Sequence, residues 1–225
     1  MTTESMPLRI DIVSDVVCPW CIIGYKQLSR ALESMSGVFA PEIHWHPFEL
    51  NPDMPVEGQD LREHLRQKYG PSAGGGSGGR ERLEALGASL GFEFDYHDGM
   101  RMRNTFAAHQ LLHWSAGFGL QTELKLALFS AYFQQREDVG DVMLLPRIAA
   151  RVGLDADEAH AVLADGRYVD EVREAQRYWR DQEVHAVPAF YFQQQYFVPG
   201  AQDATTFERI LTRIHTKEQA RSASA

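Results

Sequence analysis

Apolar residues recur with two different periods along the chain, and the changes between them mark its elements. The run Leu8-Arg9-Ile10-Asp11-Ile12-Val13, rich in β-branched residues, predicts a strand that Ser14-Asp15 breaks off. Leu28, Ala31, Leu32 and Met35 then fall at i, i+3, i+4 and i+7, a helical spacing that ends near Gly37. Glu42-Ile43-His44-Trp45-His46-Pro47-Phe48 predicts a second strand, closed by Pro47 and the Asn51-Pro52 turn, which completes a βαβ unit. From about Gln59 to Glu183 the period is 3.6, as in Leu124, Ala127, Leu128 and Ala131 or in Val172, Ala175 and Trp179. The run from Gly70 to Gly79 interrupts that pattern with the composition of a flexible linker. Strand pattern returns at Ala189-Phe190-Tyr191-Phe192 and Tyr196-Phe197-Val198, with Gln193 to Gln195 as a hairpin connection. A last helix begins past Gly200, signalled by a capping box of Thr205 and Glu208 and an apolar face of Phe207, Ile210, Leu211 and Ile214. From Lys217 the tail is polar and is expected to fray.

A βαβ half and a ββα half, separated by a helical block, give the expected fold class: α/β, a thioredoxin-type sheet with a large all-helical insertion. The expected boundaries are residues 7–50 and 184–217 for a discontinuous thioredoxin-like domain, 51–183 for the insertion and 218–225 for a flexible tail.

Charge then narrows the partners. With 22 basic and 31 acidic residues the formal net charge is -9, so the long-range field repels phosphate backbones and anionic lipid heads. Neither nucleic acid nor membrane is expected as a partner. Met1 to Leu8 has no basic segment leading into an apolar one, and no stretch is apolar for long enough to span a bilayer; a cytoplasmic location is the expectation.

The only two cysteines stand three positions apart, as Cys18-Pro19-Trp20-Cys21, where the first strand gives way to the first helix. Such a pair builds no disulfide framework and reads as chemistry. A helix N-terminus presents unpaired amides and the positive end of the macrodipole, so Cys18 is expected to be partly thiolate. In comparable motifs the pKa falls to roughly 3.5–7.5 from about 8.5. Cys18 is the expected nucleophile, and Cys21, one turn further in and more buried, the thiol that resolves the mixed disulfide. Pro19 suits the first helical turn, because its ring presets φ and it lacks an amide hydrogen that would be unpaired there. Two alternatives compete. One is half of a zinc site completed by His109 and His113, at i and i+4 on a helix; the other is a pair of cysteines that merely pack. No metal site is expected.

Ser14-Asp15 before Cys18-Pro19-Trp20-Cys21, then Gly24, resembles the DsbA-like thioredoxin-domain proteins, in particular their FrnE-like branch, related to 2-hydroxychromene-2-carboxylate isomerases. Asn104-Thr105 with Ala108-His109, Ala131-Tyr132-Phe133, Gly153-Leu154-Asp155, Val187-Pro188-Ala189-Phe190 and Gly200-Ala201-Gln202 extend the likeness over about residues 9 to 211. Their order and spacing carry more weight than any single motif. The resemblance implies a cis Val187-Pro188 bond facing the dithiol, with the Val187 backbone open to an extended substrate. It also implies substrate-binding positions at Pro19, Trp20, Asn104 and His109, while a histidine on a helix suits a packing role equally well. Gln202 and Asp203, before the final helix, are candidates to meet the charged end of a glutathione-like ligand, with capping of that helix the favoured role of Asp203. The chain departs from its relatives at His185-Ala186, where glycines are usual, and at Pro199 before Gly-Ala-Gln.

The function so implied is a thiol–disulfide oxidoreductase or isomerase acting on protein or small-molecule thiols and disulfides, with no bound cofactor. The alternative is a glutathione-dependent isomerase or transferase of the kappa or hydroxychromene-carboxylate type, with glutathione as co-substrate and a small aromatic substrate. Those relatives carry serine where Cys18 stands here. A third reading is a holdase that grips unfolded chains with exposed aromatics. Monomer and homodimer both remain open.

Overall fold

A computed structural model describes residues 5–70 and 77–222 of the chain. Strand β1 (Met6–Ser14) is its centre: Leu8, Ile10, Ile12 and Val13 are wholly buried, as a strand covered on both faces requires. It pairs in parallel with β2 (Phe39–Pro47), Ile10 opposite Ile43, and helix α1 (Pro19–Ser34) makes the crossover between them. On its other side β1 runs antiparallel to β5 (Ala189–Phe192), which turns back into β6 (Tyr196–Pro199), so the sheet order is β2-β1-β5-β6. Gln193 and Gln194 adopt positive φ in that hairpin.

Between β2 and β5 lie the short β3 (Gln59–Asp60), α2 (Leu61–Tyr69), α3 (Ser77–Ser89), the short β4 (Arg101–Met102), α4 (Phe106–Ser115), α5 (Gln121–Phe133), α6 (Leu145–Arg151), α7 (Ala156–Asp165) and α8 (Val169–Asp181). Helix α9 (Ala204–Ser222) follows β6 and packs against α1. One apolar core runs through both parts of the chain, joining Ile10, Phe190 and Phe207 to Leu111, Phe129 and Ile148. Among the described residues no helix is long and apolar enough to cross a membrane.

Four expectations need correction. The insertion is not all helical: β3 and β4 pair antiparallel, a contact too short to leave a periodic trace. Gly58 permits it, since φ there is +70° and a Cβ would meet the Met102 carbonyl oxygen at 2.2 Å. Of the expected linker, residues 71–76 lie outside the described part, while Gly78 and Gly79 belong to the first turn of α3. The last helix is capped by Asp203 instead of Thr205: the Thr206 amide donates to Asp203 Oδ1 at 2.8 Å, and Glu208 accepts from the Ser34 hydroxyl. Finally, the helix continues through the expected frayed tail to Ser222, where the Tyr196 hydroxyl donates to Glu218 and Arg221 donates to Gln195.

Two local devices fix the sheet beneath the dithiol. Gly24 in α1 lies so close to β5 that a Cβ would come within 3.0 Å of Phe190 and 3.2 Å of Pro188. Asp11 accepts from His46 Nε2 at 2.7 Å and from both Arg9 Nε and a terminal guanidinium nitrogen at 2.9 and 2.8 Å, tying β1 to β2. Burial acts upward on that carboxyl, but the hydrogen bonds from His46 and Arg9 outweigh it and hold its pKa at about 2.

Gly24→Val is expected to destabilise the fold by about 1–3 kcal/mol through overpacking, read as a lower denaturant midpoint. Asp11 has its pKa depressed on folding from 3.8 to about 2, so its contribution is complete above 3.8 and disappears as pH falls through 2. Asp11→Asn is therefore expected to remove about 2 kcal/mol of the wild type's stability loss across that acid window, measured by urea unfolding at a series of pH values.

Candidate active site

Cys18 is the N-cap of α1, with extended backbone angles (φ -92°, ψ 112°), and Pro19 opens the helix behind it. The Cys18 amide donates to the Asp15 carbonyl at 3.2 Å and the Cys21 amide to the Cys18 carbonyl at 3.1 Å, so the turn is fixed by its own backbone. No acidic residue in the first helical turn offsets the positive pole. Across the sheet the loop before β5 presents Val187, whose peptide bond to Pro188 is cis. The Cys18 thiol donates to the Val187 carbonyl at 3.7 Å.

Both cysteines are free thiols. Cys21 is sealed, while Cys18 retains 3% exposure and forms part of the wall of a cavity of about 690 Å³. Pro19, Trp20 and Val187 line the same cavity, as do Phe48 to Asn51, residues of α2 and α3, and Met100, Met102, Tyr132 and Phe133. The thioredoxin-like half contributes one wall and the insertion the others.

Behind the dithiol lies a group that the sequence pattern did not single out. Lys125 of α5 is 1% exposed; its amine donates to the Ser14 carbonyl at 3.4 Å and lies 5.4 Å from the Trp45 ring centre and 5.2 Å from that of Phe129. One turn earlier on the same helix, Gln121 accepts from the Trp45 amide at 2.8 Å and donates to its carbonyl at 3.0 Å, which fixes α5 against β2. Burial pushes the amine down to about 8, against the upward pull of negative charge on Cys21, Asp15 and Cys18. Asp15 is buried too. It accepts from the Leu50 amide at 2.8 Å and from His109 Nε2 at 3.3 Å, and these partners keep it ionised against the cost of burial.

The two sulfurs titrate as one system. The neighbouring Cys21 sulfur, followed by burial, pushes the Cys18 thiol well up; burial acts upward on Cys21 as well, but the neighbouring Cys18 and Ser14 side chains and the Lys125 charge bring it down. The Cys18 proton is thus held tightly, and the proton that leaves more readily is that of Cys21. This runs against the expectation of a Cys18 thiolate at the helix terminus: burial and the neighbouring Cys21 raise the Cys18 thiol, and the buried ammonium favours ionisation at Cys21 instead.

The remaining sequence-derived positions separate. Trp20 is 43% exposed at the cavity mouth, and exposed His185 stands on the same rim. His109 is buried behind the site; its Nε2 faces two oxygens, Asp15 Oδ1 and the Phe48 carbonyl at 3.0 Å, so it carries the proton and serves as a brace. Asn104 donates to the Met54 carbonyl at 2.8 Å and accepts from the Phe106 amide at 3.0 Å in the turn that leads into α4, outside the cavity wall. Gln202 donates to the Pro199 carbonyl, and Asp203 caps α9; neither lines the cavity. His113 packs against Tyr168, and among the described residues no group of three His, Cys, Asp or Glu side chains is arranged to hold a metal ion. Lys125 had a signal in the sequence, a lysine within a helix apolar on nearly every face.

A family model described as a DSBA-like thioredoxin domain matches residues 9–212. The crystal structure of a probable DsbA oxidoreductase from Streptomyces coelicolor is 33% identical and superposes with a TM-score of 0.83, covering 92% of this chain and 89% of that one. The uncharacterized protein YwbO of Bacillus subtilis is 24% identical over 214 residues, 95% of this chain and 100% of that protein. A 2-hydroxychromene-2-carboxylate isomerase, 13% identical, has the same fold at a TM-score of 0.69 over 94% of this chain and 98% of its own.

Lys125→Met keeps the volume and removes the charge. The first thiol ionisation is expected to move to higher pH, and alkylation at neutral pH to slow by roughly tenfold as the thiolate fraction falls. An unchanged thiolate absorbance titration would exclude Lys125 from the electrostatics of the pair.

Proposed function

The chain belongs to the DsbA-like thioredoxin-domain family, and from that premise we propose that it is a thiol–disulfide oxidoreductase in which Cys18 attacks and Cys21 resolves. The observation that carries this reading is the unequal placement of the two sulfurs: Cys18 in the cavity wall at a helix N-terminus, Cys21 sealed one turn behind it.

In the reducing direction the Cys18 thiolate attacks one sulfur of a substrate disulfide. The substrate S–S bond breaks, a Cys18–substrate mixed disulfide forms, and the first substrate sulfur leaves as a thiolate that takes up a proton. Cys21 then attacks the Cys18 sulfur, its proton passing to solvent. The bond between Cys18 and the substrate breaks, the second substrate thiol is released, and an intramolecular disulfide remains. A low-molecular-weight thiol of the cell resets the pair by the same exchange, being oxidised in turn. The opposite direction uses the same steps in reverse.

Each local feature assists one part of this sequence. The Cys21 thiolate that Lys125 favours takes up the Cys18 proton as Cys18 attacks, and the α1 amides stabilise Cys18 as a leaving group. The Val187 carbonyl, which accepts from the resting Cys18 thiol, is released when that thiol ionises and becomes free to pair with an N–H of the incoming substrate.

Replacing Cys18 by serine is expected to abolish disulfide reduction, whereas Cys21→Ser is expected to retain attack and accumulate a mixed disulfide that mass spectrometry detects. Activity surviving in Cys18→Ser would refute the assignment.

A further inference from the structure

We propose that Tyr96, contributed by the insertion, is a catalytic residue of the dithiol exchange: its hydroxyl donates a hydrogen bond to the substrate sulfur that leaves when Cys18 attacks. The inference rests on the dithiol reading above and deepens it by naming what the leaving group requires.

The need for a donor follows from the depth of the reaction. Cys18 is 3% exposed and forms part of the cavity wall. Exchange at a disulfide runs in line, so the departing sulfur stands two sulfur–sulfur bonds from Cys18, roughly 4–5 Å. Its negative charge therefore develops inside the cavity, where a thiolate cut off from bulk water is costly unless the protein supplies a donor.

Tyr96 stands in the same wall. Its ring stacks on Phe94, with centres 5.6 Å and planes 20° apart, meets Phe133 edge-on at 6.3 Å and lies under the Arg80 guanidinium at 5.1 Å. Arg80 also donates to the Tyr96 carbonyl and to Glu84, so backbone and ring are held together. Among the described residues the Tyr96 hydroxyl has no hydrogen-bond partner, yet it is not one of the sealed polar atoms that lack one. It therefore keeps accessible surface. Of the charged groups around it, Cys18 acts most strongly, ahead of Arg80 and Glu84, which places the phenol oxygen on the side of the ring toward the dithiol. Neighbouring donors of the wall are already engaged: the Tyr132 hydroxyl donates to the Arg101 carbonyl at 3.0 Å, and Lys68 to the Leu50 carbonyl and Asn51.

The step balances without a proton from the phenol. Cys18 bonds to one substrate sulfur, the substrate S–S bond breaks with its electron pair on the other, and Tyr96 shares its hydrogen with that thiolate until solvent protonates it. Burial, then negative charge on Cys18, push the phenol above its ordinary value of about 10, already higher than the roughly 8.5 of a thiol. Tyr96 thus remains a donor throughout.

The test is single-turnover oxidation of the pre-reduced full chain by two disulfides. One is bis(hydroxyethyl) disulfide, whose alkyl thiolate keeps its charge on sulfur; the other is dithiodipyridine, whose aromatic ring spreads that charge away from it. Tyr96→Phe is expected to slow the first by roughly tenfold and the second by less than about twofold. Since the hydroxyl bonds nothing in the protein, the same variant is expected to keep the wild-type urea midpoint. Tyr132→Phe, which breaks the bond to the Arg101 carbonyl, is expected to lower that midpoint and to leave the ratio of the two rates within about twofold of the wild type. Proportional slowing of both disulfides in Tyr96→Phe, no slowing of either, or an equal change of ratio in Tyr132→Phe would overturn the proposal and leave the dithiol reading intact. A urea midpoint that falls as far in Tyr96→Phe as in Tyr132→Phe would overturn it too, by giving the hydroxyl a structural bond. If neither disulfide oxidises the wild-type pair, the dithiol reading falls with it.

Discussion

A lysine amine held between the rings of Trp45 and Phe129 has lost its water, and the surroundings must compensate for that loss. Burial brings its pKa to about 8, and the amine remains charged at neutral pH because Asp15 and the dithiol provide negative charge close by. Compensation works in both directions: the cation that needs the thiolate is also what makes one thiolate easy to form. The geometry of β1, α1 and α5 can be understood as the means of keeping these groups together and dry. Gln121 locks α5 to β2, the Leu50 amide and His109 hold Asp15, and Gly24 lets α1 settle on Phe190 and Pro188.

The two parts of the chain contribute unequally to chemistry and to access. Both sulfurs, the helix terminus and the Val187 carbonyl come from the thioredoxin-like half. The buried cation and most of the cavity wall come from the insertion, which shares one apolar core with the sheet. The insertion thus lies on two sides of the pair, with Lys125 behind the sulfurs and the cavity wall in front of them. A sulfur that is 3% exposed reacts only with what the opposing wall admits.

Much of the sheet and its crossover was legible in the residues, because Leu8, Ile10 and Ile12 alternate with Arg9 and Asp11 and leave that segment few other readings. The dithiol was legible for a related reason: two cysteines one helical turn apart at a strand–helix boundary leave a local mark. The β3–β4 contact left none, since two residues carry no period, and it depends on Gly58 meeting the Met102 carbonyl, a residue remote from it in the chain. Asn104 and Gln202 were read as substrate contacts, yet each bonds nearby backbone, Asn104 at the Phe106 amide and Gln202 at the Pro199 carbonyl, while Asp203 takes the capping role favoured for it.

By itself, then, the amino-acid order determined most of the elements, the class of fold and the place of the cysteine pair at a strand–helix boundary, because each is written in residues close together in the chain. Only the tertiary structure decided that Lys125 lies behind those sulfurs, that His109 braces Asp15, and that Tyr96 shares a wall with Cys18. Charge, burial and the shape of a cavity are set by what the rest of the chain brings within a few ångströms, and no pattern confined to one segment encodes that.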